Sequence, residues 1–198
     1  MAQTKAPLEA RGVRWAAIAG VLALAIASGM TASGALFDRA HVSPQTPSAK
    51  PEFSEIAWKM GVDQWGPGRA YVCDAEHCGA EVRLYARTKS GFCNCYKGVA
   101  DDTEIDRIGD VDIHGEDFSP LADGRVTALG ELAGRQRNFL AWRHNAPKQH
   151  VLAIVVAEDC KAVVATLVAR DAISEATEQA ARAALTGESF RRWAAARD

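Results

Sequence analysis

The chain has 198 residues, of which 48% are apolar and 24% charged. These are globular values that exclude wholesale disorder, and at roughly 150 residues per domain the length accommodates one domain and a targeting segment. The net charge of −2 excludes a strongly basic nucleic-acid surface.

Lys5, Arg11 and Arg14 stand against Glu9 at the N-terminus, a net +2, and residues 15–37 then carry no charge. The densest apolar run is WAAIAGVLALAIA, residues 15–27. Residues 1–37 are therefore either a membrane anchor or a cleavable signal peptide. The uncharged length and the long basic region favour the anchor. The short apolar run and the small-residue site Ser33-Gly34-Ala35 favour cleavage. The basic flank keeps the N-terminus cytoplasmic in both cases, so the rest of the chain is exported. The expectation is a single-pass inner-membrane protein with a periplasmic domain, or a secreted periplasmic protein if the signal is removed. Residues 38–52, with Pro44, Pro47 and Pro51, form a linker with nothing to bury. Subtracting the +2 of residues 1–37 from −2 leaves the exported part at −4, which disfavours anionic lipid or nucleic acid as partner.

The exported domain spans 53–198. Phe53, Ile56, Ala57 and Met60 share one helical face and predict a short helix or turn over 53–60. Residues 64–68 (QWGPG) form a turn. Residues 70–73 begin a strand, 74–79 connect, and 81–87 alternate. Val82, Leu84 and Ala86 face the core there, with Arg83, Tyr85 and Arg87 opposite, as in a half-buried antiparallel strand. Residues 89–100 form a loop with two cysteines. Asp101 caps a short helix that ends near Gly109, with Glu104 completing a capping box and Ile105, Ile108 and Val111 on one face. Residues 114–123 read as a polar loop. Strands follow over 125–132, 138–144, 151–157 (VLAIVVA) and 162–169 (AVVATLVA). The last two flank the polar turn Glu158-Asp159-Cys160-Lys161 and form a central hairpin buried on both faces. A helix over 172–185 places Ile173, Ala176, Ala180, Ala184 and Leu185 near one stripe. Gly187 interrupts it, and Phe190 and Trp193 anchor a last turn. The fold class is α+β: an antiparallel sheet of about six strands covered by helices.

The succession 151–157, 162–169, 172–185 and Ser189-Phe190-Arg191-Arg192-Trp193 resembles the PsbP-like α/β/α sandwich over roughly residues 53–198. That resemblance implies a non-enzymatic accessory or assembly module attached to a larger complex, and it transfers no catalytic residue. The stretch GFCNCYKGVADDTEIDRIGD also resembles uncharacterised exported proteins of alphaproteobacteria.

Five cysteines, Cys73, Cys78, Cys93, Cys95 and Cys160, lie in the exported part. An oxidising compartment makes all five disulfide candidates, with one thiol left over or bridged between molecules. Cys73 and Cys78 flank four residues where two strands diverge, and a second bridge would join Cys93 or Cys95 to Cys160. A metal site is the alternative. Cys73, Cys78, Cys93 and Cys95 supply four thiolates, but the gap between Cys93 and Cys95 is short for zinc. Copper(I) suits Cys93-Asn94-Cys95 with His77 better. Thiol–disulfide exchange comes third, because the chain lacks C-x-x-C and Asp101 and Asp102 disfavour a thiolate at Cys95.

His144 and His150 flank a turn, where a histidine pair is more often solvated than ligating. Helix capping and a solvated face account for Asp101, Asp102, Glu104, Asp106, Asp110, Asp112, Glu116 and Asp117. The chain has no G-x-S-x-G, H-E-x-x-H or phosphate loop. The expectation is a membrane-tethered periplasmic accessory protein without cofactor, not an enzyme. It would bind a protein partner, a membrane complex, through its cysteine loop and the helix that follows. The runner-up is a copper(I)-handling protein, and the third reading is a thiol–disulfide oxidoreductase.

Overall fold

The computed structural model describes residues 50–91 and 98–197, all within one compact unit of the chain. The expected targeting segment, most of the linker, and the segment holding Cys93 and Cys95 lie outside the described residues. Among the described residues, no helix is long and apolar enough to cross a membrane.

The domain is built on one antiparallel sheet of eight strands: β1 (Ser54–Ile56), β2 (Arg69–Cys73), β3 (Val82–Ser90), β4 (Asp117–Pro120), β5 (Arg125–Leu129), β6 (Leu132–Trp142), β7 (Gln149–Glu158) and β8 (Lys161–Ala169). Their spatial order is β1-β2-β3-β8-β7-β6-β4, and β5 also pairs with β6. β4 occupies one half of the β6 edge, from Asp117 opposite Trp142 to Pro120 opposite Phe139. β5 occupies the other half, from Arg125 opposite Gln136 to Leu129 opposite Leu132.

The central hairpin forms as its apolar runs require. In β7, Val151, Ala153, Val155 and Ala157 enter one core, and Leu152, Ile154 and Val156 enter the other. Because successive side chains alternate, a strand this apolar needs cover on both faces. Helix α2 (Asp102–Ile108) and a 3₁₀ turn (Val111–Ile113) cover the first face, burying Ile105, Ile108 and Val111. Helices α3 (Glu175–Thr186) and α4 (Glu188–Ala195) cover the second with Ala181, Leu185 and Phe190. The fourth helix, α1 (Ala75–Cys78), is one turn between β2 and β3. The turn joining β7 to β8 holds Asp159 at φ 50° and Cys160 at φ 63°. Both central positions of this two-residue hairpin are thus left-handed, the twist that matches the strands.

Asp101 caps α2 as expected, while Glu104 reaches one residue further back than in a capping box. The Asp101 carboxylate accepts from Glu104 N–H at 2.9 Å, and Glu104 accepts from Ala100 N–H at 2.7 Å.

The sheet has two strands more than expected. The helix or turn over 53–60 is instead β1 and its continuation. Ser54–Ile56 pairs with Val72–Ala70 along the sheet edge. Ile56, Trp58 and Met60, spaced by two, pack on the α2-side core, and Phe53 packs on the other. The period is that of extended chain, masked by one helix-like spacing. The second extra strand, β4, lies in the expected polar loop. All four of its residues are exposed, so pairing with β6 alone defines it. Of the expected outward face of β3 only Arg83 is exposed; Tyr85, Arg87 and Lys89 on that face are buried like Val82, Leu84 and Ala86 on the other. The α3 stripe is also rotated. Ser174 caps the helix, and Thr177, Ala181 and Leu185 face inward, while Ala176 is exposed. Alanine on every side of a helix leaves its buried face undetermined by hydrophobicity. The last turn is a full helix, α4, in which the rings of Phe190 and Trp193 stand 5.3 Å apart.

Candidate functional site

The described cysteines, Cys73, Cys78 and Cys160, lie at opposite ends of the sheet. Asp74 caps α1 by accepting from His77 N–H at 3.0 Å, and Gly79, at φ 77°, ends it. This single turn folds Cys78 back onto the end of β2, where Cys73 and Cys78 form a disulfide with a Cα separation of 5.9 Å. Gly79 is needed there because a side chain at that φ is strained. Cys160 is also disulfide-bonded. Cys93 and Cys95, its expected partners, lie outside the described residues. Cys73 pairs with Val82 at one end of β3, and Ser90 at the other end pairs with Lys161, next to Cys160. The length of β3, roughly 26 Å at the usual rise, separates the two positions.

Of the metal-ligand candidates, Cys73 and Cys78 are joined to each other, so neither is a thiolate here. His77 has its Nδ1 2.8 Å from the Asp74 carboxylate, a bond that raises the imidazole pKa. Among the described residues, no three His, Cys, Asp or Glu side chains converge as a metal-holding group.

The feature missed by sequence reasoning is a buried ion cluster. Arg87 and Lys89 of β3 are only 3% and 5% exposed, and Asp110, just beyond α2, is 6% exposed. The Arg87 guanidinium grips both Asp110 oxygens, Nε to Oδ2 at 2.6 Å and Nη2 to Oδ1 at 2.7 Å. Lys89 Nζ lies 2.5 Å from Oδ1 and also donates to the Ile108 carbonyl at 3.1 Å. Arg87 Nη1 reaches Asp63 at 2.7 Å. The Trp65 ring closes the cluster, 4.7 Å from Lys89 Nζ and 5.6 Å from the Arg87 guanidinium carbon. Burial works against the charge on Asp63. The N–H of Trp65 and the guanidinium of Arg87 outweigh it and hold the carboxyl below its ordinary range. Asp110 takes a left-handed backbone, φ 58°, which short polar side chains tolerate. The available signal was phase: Arg87 and Lys89 continue the face of Tyr85 at spacing two, and Asp110 directly follows the helix stop.

The acidic run is therefore less solvated than expected. Asp102 accepts from Arg135 Nη2 at 2.6 Å and from Gly124 N–H at 2.9 Å, and the Gly124 bond is the first cause of its lowered pKa. Asp106 takes both its bonds from Arg137 Nη1, at 2.8 and 2.7 Å. Asp112 and Asp117 are exposed, and Glu116 accepts from His144 N–H. The cause is β6, whose Arg135 and Arg137 face α2. His144 is exposed and His150 half-buried.

His114, read as part of a polar loop, is buried. Its Nε2 lies 2.7 Å from Thr166 Oγ1, and its ring packs 5.3 Å from Tyr85. Burial pushes its pKa down to about 4; Asp110 opposes that shift and Arg143 adds to it. The imidazole is neutral at pH 7 and acts as a packed hydrogen-bonding group.

In comparison with known proteins, no family model matches the chain and no curated protein matches it.

Asp110→Asn preserves the backbone and shape but removes the buried negative charge that Arg87 and Lys89 share, leaving Arg87 only Asp63. It is expected to cost about 3–5 kcal/mol in urea unfolding, against less than about 0.5 kcal/mol for Asp112→Asn on the surface. His114 supplies a pH signature. Its folded pKa lies below the unfolded value of 6.5, so the unfolded chain binds more protons between pH 6.5 and 4. The stability that neutral His114 contributes is full above pH 6.5 and lost as pH falls through this window, by about 3 kcal/mol in all. Unfolding free energies of His114→Gln measured across pH 4–7 are expected to lack this slope.

Proposed function

We propose that the chain is a membrane-tethered accessory domain of an oxidising, extracytoplasmic compartment, presenting a disulfide-braced surface to a protein partner in a membrane complex. The carrying observation is that all three described cysteines, Cys73, Cys78 and Cys160, are in disulfides. Such bonds are rare where glutathione and thioredoxin keep thiols reduced. This agrees with the basic flank and uncharged run of residues 1–37, which by their chemistry are an export signal or anchor.

An interaction role is supported by where the polar groups go. Arg87, Lys89 and Asp110 join β3 to the α2 connection, and Arg135 and Arg137 join β6 to α2. Arg182 and Glu178 join α3 to Gln136 of β6. These side chains hold element to element and keep the surfaces in shape. The resemblance to PsbP-like domains supports the same role. The contact face of this proposal is the sheet end that carries Cys160. There Gly91 N–H donates to the Cys160 carbonyl and Gly98 N–H to the Ala157 carbonyl, so Gly91 and Gly98 both lie beside the β7–β8 turn.

The test is topology followed by assembly. Alkaline phosphatase fused after residue 198 is expected to be active, and inactive once residues 1–37 are deleted. Extracted from its own membranes in mild detergent, the chain is expected to migrate in a complex of defined stoichiometry. An inactive fusion overturns the export reading, and migration as the lone chain overturns the accessory role.

A further inference from the structure

The sheet end away from the β7–β8 turn holds a cavity of about 650 Å³. There Val82 of β3, Ala169 of β8 and His150 of β7 lie side by side. The walls come from the start of β3, the end of β8, the 3₁₀ turn and the β6–β7 connection. The volume is that of a small-molecule site.

Its charge is unlike the rest of the domain. The chain is net acidic, yet four cations line this cavity, Arg83, Arg143, Lys148 and Arg170, against Glu81 and Asp171. The cations that hold the sheet to its helices are neutralised in place: Arg87 and Lys89 by Asp110, Arg135 by Asp102, Arg137 by Asp106, Arg182 by Glu178. Within the cavity only Arg83 is so engaged, 2.9 Å from Glu81. Arg143 donates to a backbone carbonyl, that of Ile113, and Lys148 lies over the Trp142 ring at 4.6 Å. Among the described residues, Arg143, Lys148 and Arg170 have no carboxylate within ion-pair distance. They come from two separate connections, one after β6 and one after β8, and converge on one concavity. Tyr85 and His114 also line the wall. The Cys73–Cys78 disulfide lies just ahead of Ala80 and Glu81, two further lining residues, and braces the entry to β3.

Unneutralised cations on low-dielectric walls focus a positive potential into a cleft. Arginine forks match carboxylate and phosphate oxygens two at a time. We propose that this cavity binds a small organic or inorganic polyanion carrying at least two carboxylate or phosphate groups. This goes beyond the accessory role and does not depend on it: the cavity is at the opposite end of the sheet from the proposed contact face.

The test is calorimetric titration of the full-length oxidised chain in neutral detergent at low ionic strength, with citrate and pyrophosphate as probes. Saturable one-to-one binding of at least one probe is expected, and the probe that binds assigns carboxylate or phosphate chemistry. The double variant K148E/R170E is expected to weaken that binding about tenfold or more. R191E/R192E makes the same change of charge on α4, away from the cavity, and is expected to stay within about twofold. Urea midpoints matching the parent show that both variants fold. Absence of saturation by either probe, retained affinity in K148E/R170E, or equal losses in the two variants overturns the proposal.

Discussion

The Asp110 carboxylate between Arg87 and Lys89 is the contact on which the α2 side of the domain depends. β3 sits near the middle of the sheet, between β2 and β8, and places two cations on a face that α2 and the 3₁₀ turn must cover. Unpaired, each would cost several kcal/mol to bury. Asp110 takes three of the donors, and its left-handed backbone bends the chain out of α2 toward the 3₁₀ turn. A well-packed apolar trio would hold comparable stability. What the ions add is register. Arg87 and Lys89 reach one carboxylate only when β3 presents this face to α2, and a one-residue slip would turn both into the opposite core.

The same division of labour recurs at β6. Its odd-numbered Arg135 and Arg137 hold Asp102 and Asp106 of α2, and Gln136 between them meets Arg182 and Glu178 of α3 on the other face. Apolar side chains of β7 and β8 supply the burial, and the polar residues of β3 and β6 set where each helix sits. Gly134 permits the tight pairing of β6 with β7. A Cβ built there would stand 1.9 Å from the Val155 carbonyl oxygen, so only glycine fits.

Legibility in the sequence follows this division. The β7–β8 hairpin and α2 are plain because each is governed by local pattern: continuous Val-rich runs, a capping box, a glycine stop. The Cys73–Cys78 bridge is legible from its four-residue spacing at a strand end. β1 and β4 are not, since the alternation at β1 is masked by one helix-like spacing and an all-exposed strand shows no apolar face; pairing with their neighbours defines both. The buried ions were hidden for a different reason. Periodicity places Arg87 on the second face of β3, but whether that face meets water or Asp110, 23 residues away, is decided by tertiary packing. His114 was hidden in the same way: its burial depends on Thr166 and Tyr85, brought together by the sheet. The cationic cavity collects residues from separated turns and has no linear signature.

The oxidised state of the described cysteines links the architecture to the proposed compartment, and one measurement tests it directly. Cells producing the full chain are quenched in acid and alkylated under denaturing conditions. They are then reduced, alkylated with a second reagent and mapped by peptide mass. Cys73, Cys78 and Cys160 are expected to carry only the second label. First-reagent label on Cys73 and Cys78 would mean that the chain matures in a reducing compartment, and would contradict the disulfide-braced, exported domain proposed above.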